Sequence, residues 1–372
     1  MDVMKGGKGL GFLNMLLCGL QILLSGVSLL GVVIVLDSYM DQPLFSIGLA
    51  LGMMPAAIIL HESGHYFGAR FNCMTVLSMR VMAVEIQFLR RGFKLRWSPQ
   101  SKGRKLGGYL MVAGNLKRPL RRQMLWMVMM GPVLNLVMSL ACIGLWWFTH
   151  GLASALAMGF SLVNLGMGLT NLLPTLRGHA SDGMVFIVWW LHQNDDRPEL
   201  AQTRLLALSV AGTPSEQLPE ADIVNLSQGS MPGPLIALDY RLTALLNRGQ
   251  WQAAVLLERE LELLLQAQPK IGMDTLIRLL RIELSFARAY LQRDVTGLWS
   301  DWMNQDINWY APWLRPRCEA LRSILLGDLQ QAETHLQRAL LEAKGCKIAS
   351  QQHSETILAQ HLRALASKSA FS

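Results

Sequence analysis

The residues best placed to do chemistry are His61-Glu62-Ser63-Gly64-His65, an H-E-x-x-H pattern. Two histidines four apart on a helix project from one face, where their imidazoles can hold a single Zn²⁺. The glutamate between them is placed to act on a water at that metal. The setting sharpens the reading. Leu51-Gly-Met-Met-Pro-Ala-Ala-Ile-Ile-Leu60 precedes the pattern, and Tyr66-Phe-Gly-Ala69 separates it from Arg70. Ionisable side chains at membrane depth are costly and mark function. A pair of helix histidines satisfied by local hydrogen bonds is the plainer alternative, but it gives no reason to set two imidazoles and a carboxylate in lipid.

The elements that must carry these residues follow from composition. Of 372 residues, 51% are hydrophobic and 16% charged, which favours a membrane protein. Residues 1–196 hold 16 Lys/Arg against 8 Asp/Glu, whereas residues 197–372 hold 18 of each, so the net charge of +8 belongs to the apolar half. Thirteen of those 16 bases lie between Arg70 and Arg122, where Glu85 is the only acid. Bases clustered beside apolar spans are flanking charges on the cytoplasmic side, so no nucleic-acid partner is expected. The five cysteines are widely spaced and suggest neither a disulfide framework nor a zinc ribbon. Lys5 and Lys8 precede an apolar run to about Leu36, too long for a signal-peptide core and lacking a small-residue cleavage site. That run reads as a retained membrane helix.

Four apolar segments approach the roughly 20 residues that cross a hydrocarbon core of about 30 Å as helix. They run over about 9–36, 43–70, 123–148 and 151–176. The acidic loop Asp37–Gln42 and the basic loop 71–122 place the N-terminus, the basic loop and everything after 177 in the cytoplasm. Within the basic loop, Met74–Leu89 and Phe93–Trp97 alternate, and Leu106–Gly114 reads as a short strand between glycines, predicting a small β segment at the membrane surface. From Asp182 an apolar stretch too short to span predicts an interfacial helix over 182–193. Residues 194–235 have the composition of a linker. Beyond them, 236–372 is amphipathic helix. Leu242–Ala254, Ala287–Asp294 and Leu321–Ala332 resemble one another and the tetratricopeptide unit, implying a helical-repeat domain with a cytoplasmic protein or peptide partner. The fold class is therefore mainly α: a polytopic membrane helical bundle with a small β segment, then an all-α repeat domain.

Four features in order resemble the site-2 proteases, the intramembrane zinc metalloproteases. They are His61-Glu62-x-x-His65, Gly107-Gly108-Tyr109, Gly131-Pro132-Val-Leu-Asn135, and Asn171-Leu-Leu-Pro174 followed by Asp182-Gly183, spanning roughly residues 43–185. The resemblance implies one zinc per chain held by His61, His65 and Asp182, with Glu62 as general base. It implies Asn171 and Asn135 lining the site and Gly107, Gly108 and Tyr109 on a strand bordering it. The implied activity is cleavage of single-span membrane proteins within the bilayer, near the cytoplasmic face. Asp182 stands eleven residues after Asn171, three more than the family spacing, and is preceded by Ser181 where the family has leucine. The extra segment, Arg177-Gly-His-Ala-Ser181, contains His179, a rival third ligand. Asp182 also reads as a helix N-cap. Two other functions stay open: a membrane-anchored protease of the gluzincin type with a cytosolic site and Glu85 as third ligand, and a non-catalytic scaffold whose repeat domain gathers partners.

Overall fold

The structure, a computed structural model, describes residues 8–99, 107–177, 179–191, 200–267, 272–298 and 303–369. Contacts divide the chain into two units, Met1–Gln87 with Phe93–Asp195, and Asp196–Ser372 with Phe88–Gly92.

In the first unit, four apolar helices among the described residues are long enough to cross a membrane: α1 (Lys8–Met40), α2 (Pro43–Phe71), α3 (Leu120–Phe148) and α4 (Leu152–Leu172). Half of the spanning window of α4 is buried against 11% of that of α1, which makes α4 the inner helix and leaves α1 with a broad lipid-type surface of Leu13, Leu20, Leu23, Val27 and Ile34. The fourth span stops at Leu172 instead of running to 176. Pro174 disfavours the α conformation at the residue before it, and Leu173 is extended at φ −65°, ψ 128°.

The basic loop folds into four antiparallel strands, β1 (Thr75–Val81), β2 (Val84–Phe88), β3 (Phe93–Trp97) and β4 (Gly108–Ala113), in the order β3-β2-β1-β4. The alternation in the sequence thus becomes a sheet whose edge strand β4 pairs with β1 in the register Met79 to Leu110. After α4 come two short strands, β5 (Leu176–Arg177) and β6 (His179–Ala180), and then α5 (Asp182–Leu191), the short apolar helix expected at 182–193.

The second unit is helical: α6 (Ala201–Ala211), α7 (Glu220–Ser227), α8 (Gly233–Asn247), α9 (Trp251–Ala267), α10 (Asp274–Gln292), α11 (Gln305–Tyr310), α12 (Leu314–Leu325), α13 (Leu329–Gly345) and α14 (Ala349–Ser369). Of the stretch 194–235, expected to be a linker, the described residues 200–235 are folded. Leu205, Leu218, Ile223 and Leu226 from α6, α7 and the turn between them bury with Ala237 of α8 in one core, a few apolar residues among many polar ones sufficing to fold it. Two helical hairpins, α8–α9 and α12–α13, turn at Gly249 (φ +69°) and Gly327 (φ +84°), where a side chain would be strained. Arg317 is buried between Glu283 and Glu355, so the interior of this unit holds a charged network beside its leucines.

Candidate metal centre

His61, Glu62 and His65 lie in the last third of α2 and are all buried. Helical spacing sets the two imidazoles edge to face, their centroids 4.7 Å apart. Their tautomers follow from partners that can only accept. Asn164 Nδ2 donates to the Phe160 carbonyl at 2.8 Å, so Asn164 Oδ1 accepts from Asn135 Nδ2, also at 2.8 Å. Asn135 Nδ2 reaches the Ala57 carbonyl as well, at 3.2 Å. The amide oxygen of Asn135 must therefore face His61 Nδ1, 2.7 Å away, and that nitrogen must carry the proton. His65 Nδ1 likewise donates to the Met127 carbonyl at 2.9 Å. Both Nε2 atoms are left with lone pairs aimed at one point.

Asp182 comes from beyond the end of α4, as the first residue of α5, which packs against α3. Thr175 and Ser181 pair, Ser181 N–H to the Thr175 carbonyl at 3.0 Å and Thr175 N–H to Ser181 Oγ at 3.0 Å, and β5 and β6 continue the ladder outward. The residues that lengthen the spacing from Asn171 are thus looped out as a small hairpin. Ser181 Oγ accepts from Met184 N–H at 3.3 Å, so Ser181 caps α5. The N-cap role considered for Asp182 belongs to its neighbour. The Asp182 carboxylate, on the first residue of the helix, is released toward the histidines.

His61 Nε2 lies 3.0 Å from Asp182 Oδ2, His65 Nε2 lies 3.4 Å from Asp182 Oδ1, and the two Nε2 atoms are 3.1 Å apart. Donors about 2.1 Å from a tetrahedral centre stand about 3.4 Å from one another, and each imidazole Nε2 has the other Nε2 and one carboxylate oxygen of Asp182 within that reach. Asp182 Oδ2 is buried and accepts no hydrogen bond. With both ring protons committed elsewhere, the lone pairs of the two Nε2 atoms and of the Asp182 carboxylate converge. A cation fits this site.

Gly131 of α3 stands against both rings: a Cβ there would lie 2.5 Å from His65 Nε2 and 3.0 Å from His61 Cε1. Gly108 on β4 stands as closely against Glu62, since its Cβ would meet Glu62 Oε1 at 2.2 Å. His61, His65, Asp182, Glu62, Gly107, Gly108, Tyr109 and Asn171 line one cavity of about 430 Å³, walled by Ile58, Leu110, Met127, Val128, Met167 and Val185.

Two site expectations change. Asn135, expected to line the site, is wholly buried behind His61 and outside the cavity lining, holding the ring that faces the cavity. Glu85, the rival acid, lies on β2 with its carboxylate taken by Arg96 Nη2 at 2.8 Å and the Tyr109 hydroxyl at 3.0 Å, outside the His61–His65–Asp182 group. Tyr109 therefore braces β4 through Glu85 while another part of it borders the cavity. Asn171 donates to the Met167 carbonyl of its own helix at 3.0 Å. The side chain of His179 lies outside the described residues. Asn164 and Ser181 gave no sequence signal as site residues, because a polar residue in a span or before a helix has many uses; only their hydrogen-bond partners show what they hold.

Residues 49–163 match the family model of peptidase family M50. This is the site-2 protease family. The match takes in His61–His65, Gly107–Tyr109 and Gly131–Asn135 and ends before Asn171, so Asp182 joins the metal group on geometry alone. The M50 family is one of zinc metallopeptidases, and residues 49–163 are similar to it. Four apolar spans agree with a multi-pass membrane protein. No curated protein and no solved structure matches the chain.

Proposed function

We propose that this chain is an intramembrane zinc endopeptidase that cuts the transmembrane segment of single-span membrane proteins near the cytoplasmic face. The observation that carries the reading is the convergence of His61, His65 and Asp182 beside Glu62 in a cavity formed between spanning helices, β4 and α5. Zinc held there would supply Lewis acidity, polarising the scissile carbonyl and acidifying the attacking water. Glu62 takes the proton of that water and passes it to the leaving nitrogen. Asn135 and the Met127 carbonyl keep both imidazoles oriented through these transfers. A helical substrate hides its carbonyls in its own hydrogen bonds, so it must unwind locally before cleavage. The edge strand β4, with Gly108 to Leu110 in the cavity wall, offers a backbone with which an unwound segment can pair. The N-terminus, the sheet and the second unit would be cytoplasmic by the distribution of basic residues.

Glu62→Gln tests the reading: it should abolish cleavage of a single-span reporter while zinc stays bound, and unchanged cleavage would refute it. The hairpins of the second unit support a role in choosing substrates or cytoplasmic partners, as helical arrays present broad binding surfaces. Because α6 to α8 share a core, a clean deletion starts near residue 196. Deletion should change which reporters are cut, and identical rates across a reporter panel would refute this role.

A further inference from the structure

Three polar residues recur every seventh position along α1, at Asn14, Gln21 and Ser28. A heptad spacing puts them on one face of the helix, and all three bond to backbone of α4 or of the loop after it. Ser28 Oγ donates to the Leu162 carbonyl at 2.6 Å. Gln21 Nε2 donates at 3.2 Å to the Thr170 carbonyl, in the last turn of α4, where helical partners run out, and Gln21 Oε1 accepts from the Thr175 hydroxyl at 3.1 Å. Asn14 does something different in kind. Its Oδ1 accepts from Leu176 N–H at 2.8 Å and its Nδ2 donates to the Leu176 carbonyl at 3.2 Å, so one side-chain amide satisfies both backbone groups of one residue, as a neighbouring strand would.

Leu176 begins the hairpin that lengthens the spacing between Asn171 and Asp182. Its other face pairs with Ala180, the next pair inward is Thr175 with Ser181, and Ser181 caps the helix whose first residue is Asp182. We propose that Asn14 is a positioning residue for the metal centre: by acting as a surrogate strand on Leu176 it fixes the hairpin and hence the Asp182 carboxylate. The added residues would otherwise leave a two-residue strand with an unpaired edge at the end of a span, where unsatisfied backbone is costly. Gln21 holds the base of the same loop through Thr175. The inference rests on the reading of His61, His65 and Asp182 as metal ligands.

The test is metal affinity of the full chain in detergent, measured by chelator competition for Zn²⁺ and by the visible absorption of Co²⁺ in its place. Asn14→Leu should raise the zinc dissociation constant by about tenfold or more, in the range seen when a support of a metal ligand is lost, and should alter the Co²⁺ bands. Ser28→Ala, on the same face but away from the hairpin, should leave both unchanged. Asn14→Ser keeps a small polar group, cannot bridge both Leu176 groups, and carries the same expectation as Asn14→Leu should that variant not fold. Zinc affinity within about twofold of wild type in both Asn14 variants, or an equal loss in Ser28→Ala, would overturn the proposal. A wild-type chain that binds no Zn²⁺ or Co²⁺ would overturn the ligand reading and this proposal together, whereas bound metal with unaffected Asn14 variants overturns this one alone.

Discussion

Gly131→Ala adds one methyl group at the crossing of α3 over the two histidines, and its effect can be worked out before the experiment. The new Cβ would stand 2.5 Å from both Nε2 and Cε1 of His65 and 3.0 Å from His61 Cε1. Non-bonded carbon contacts settle near 3.5 Å, so the rings or the helices must part by about 1 Å. The rings cannot swing freely, because each is pinned at Nδ1, to Asn135 and to the Met127 carbonyl. Metal–donor distances tolerate only about 0.2 Å, so the displacement is several times what zinc accepts. Losing a mere support costs about 10- to 100-fold in metal affinity, so displacing a ligand should exceed about 100-fold. Overpacking costs about 1–3 kcal/mol of stability, offset by up to about 1 kcal/mol from replacing glycine inside a helix. Gly144→Ala on the same helix, with nothing within 4 Å of its new Cβ, is the control and should keep full affinity. Chelator competition on detergent-solubilised protein gives the affinities and a thermal melt gives the stability. Wild-type zinc affinity in Gly131→Ala would refute the ring placement itself.

Two further outcomes are expected. Asn135→Leu leaves the His61 ring proton without an acceptor and Asn164 Oδ1 without a donor. Zinc binding should weaken by about 10- to 100-fold, with a stability loss of about 1–3 kcal/mol, and an unchanged zinc titration would count against the tautomer argument. In the second unit, burial, reinforced by the charge of Glu283, pushes the carboxyl of Asp239 up to about 7 from 3.8. A carboxyl that holds its proton in the folded state contributes stability below its unfolded value and loses it as pH rises through about 7. Asp239→Asn cannot ionise, so it should raise the melting temperature of the full chain more at pH 8 than at pH 5. Equal shifts at the two values would show that Asp239 does not titrate there.

The sequence by itself determined the features that are local. Helical geometry alone puts His61 and His65 on one face with Glu62 between them, because positions four apart always meet whatever surrounds the helix. Apolar run length marked the four spans, and alternation with flanking glycines marked the strands. Each of these depends on a few turns of chain, and only the boundaries moved, as where Pro174 ended α4 early. The linker reading of 194–235 failed because average composition hides a few well-placed leucines, and burial in α6 and α7 depends on which of them meet. The third member of the candidate metal group was decided by tertiary structure. Glu85, twenty residues from His65, is held away by Arg96 and Tyr109, whereas Asp182, more than a hundred residues on, is brought to the histidines. Its delivery depends on a looped-out hairpin, a serine cap and an asparagine from the first helix. Each of those polar residues admits many partners, and only packing selects one; sequence spacing fixes chemistry within a helix, and the fold chooses what faces it.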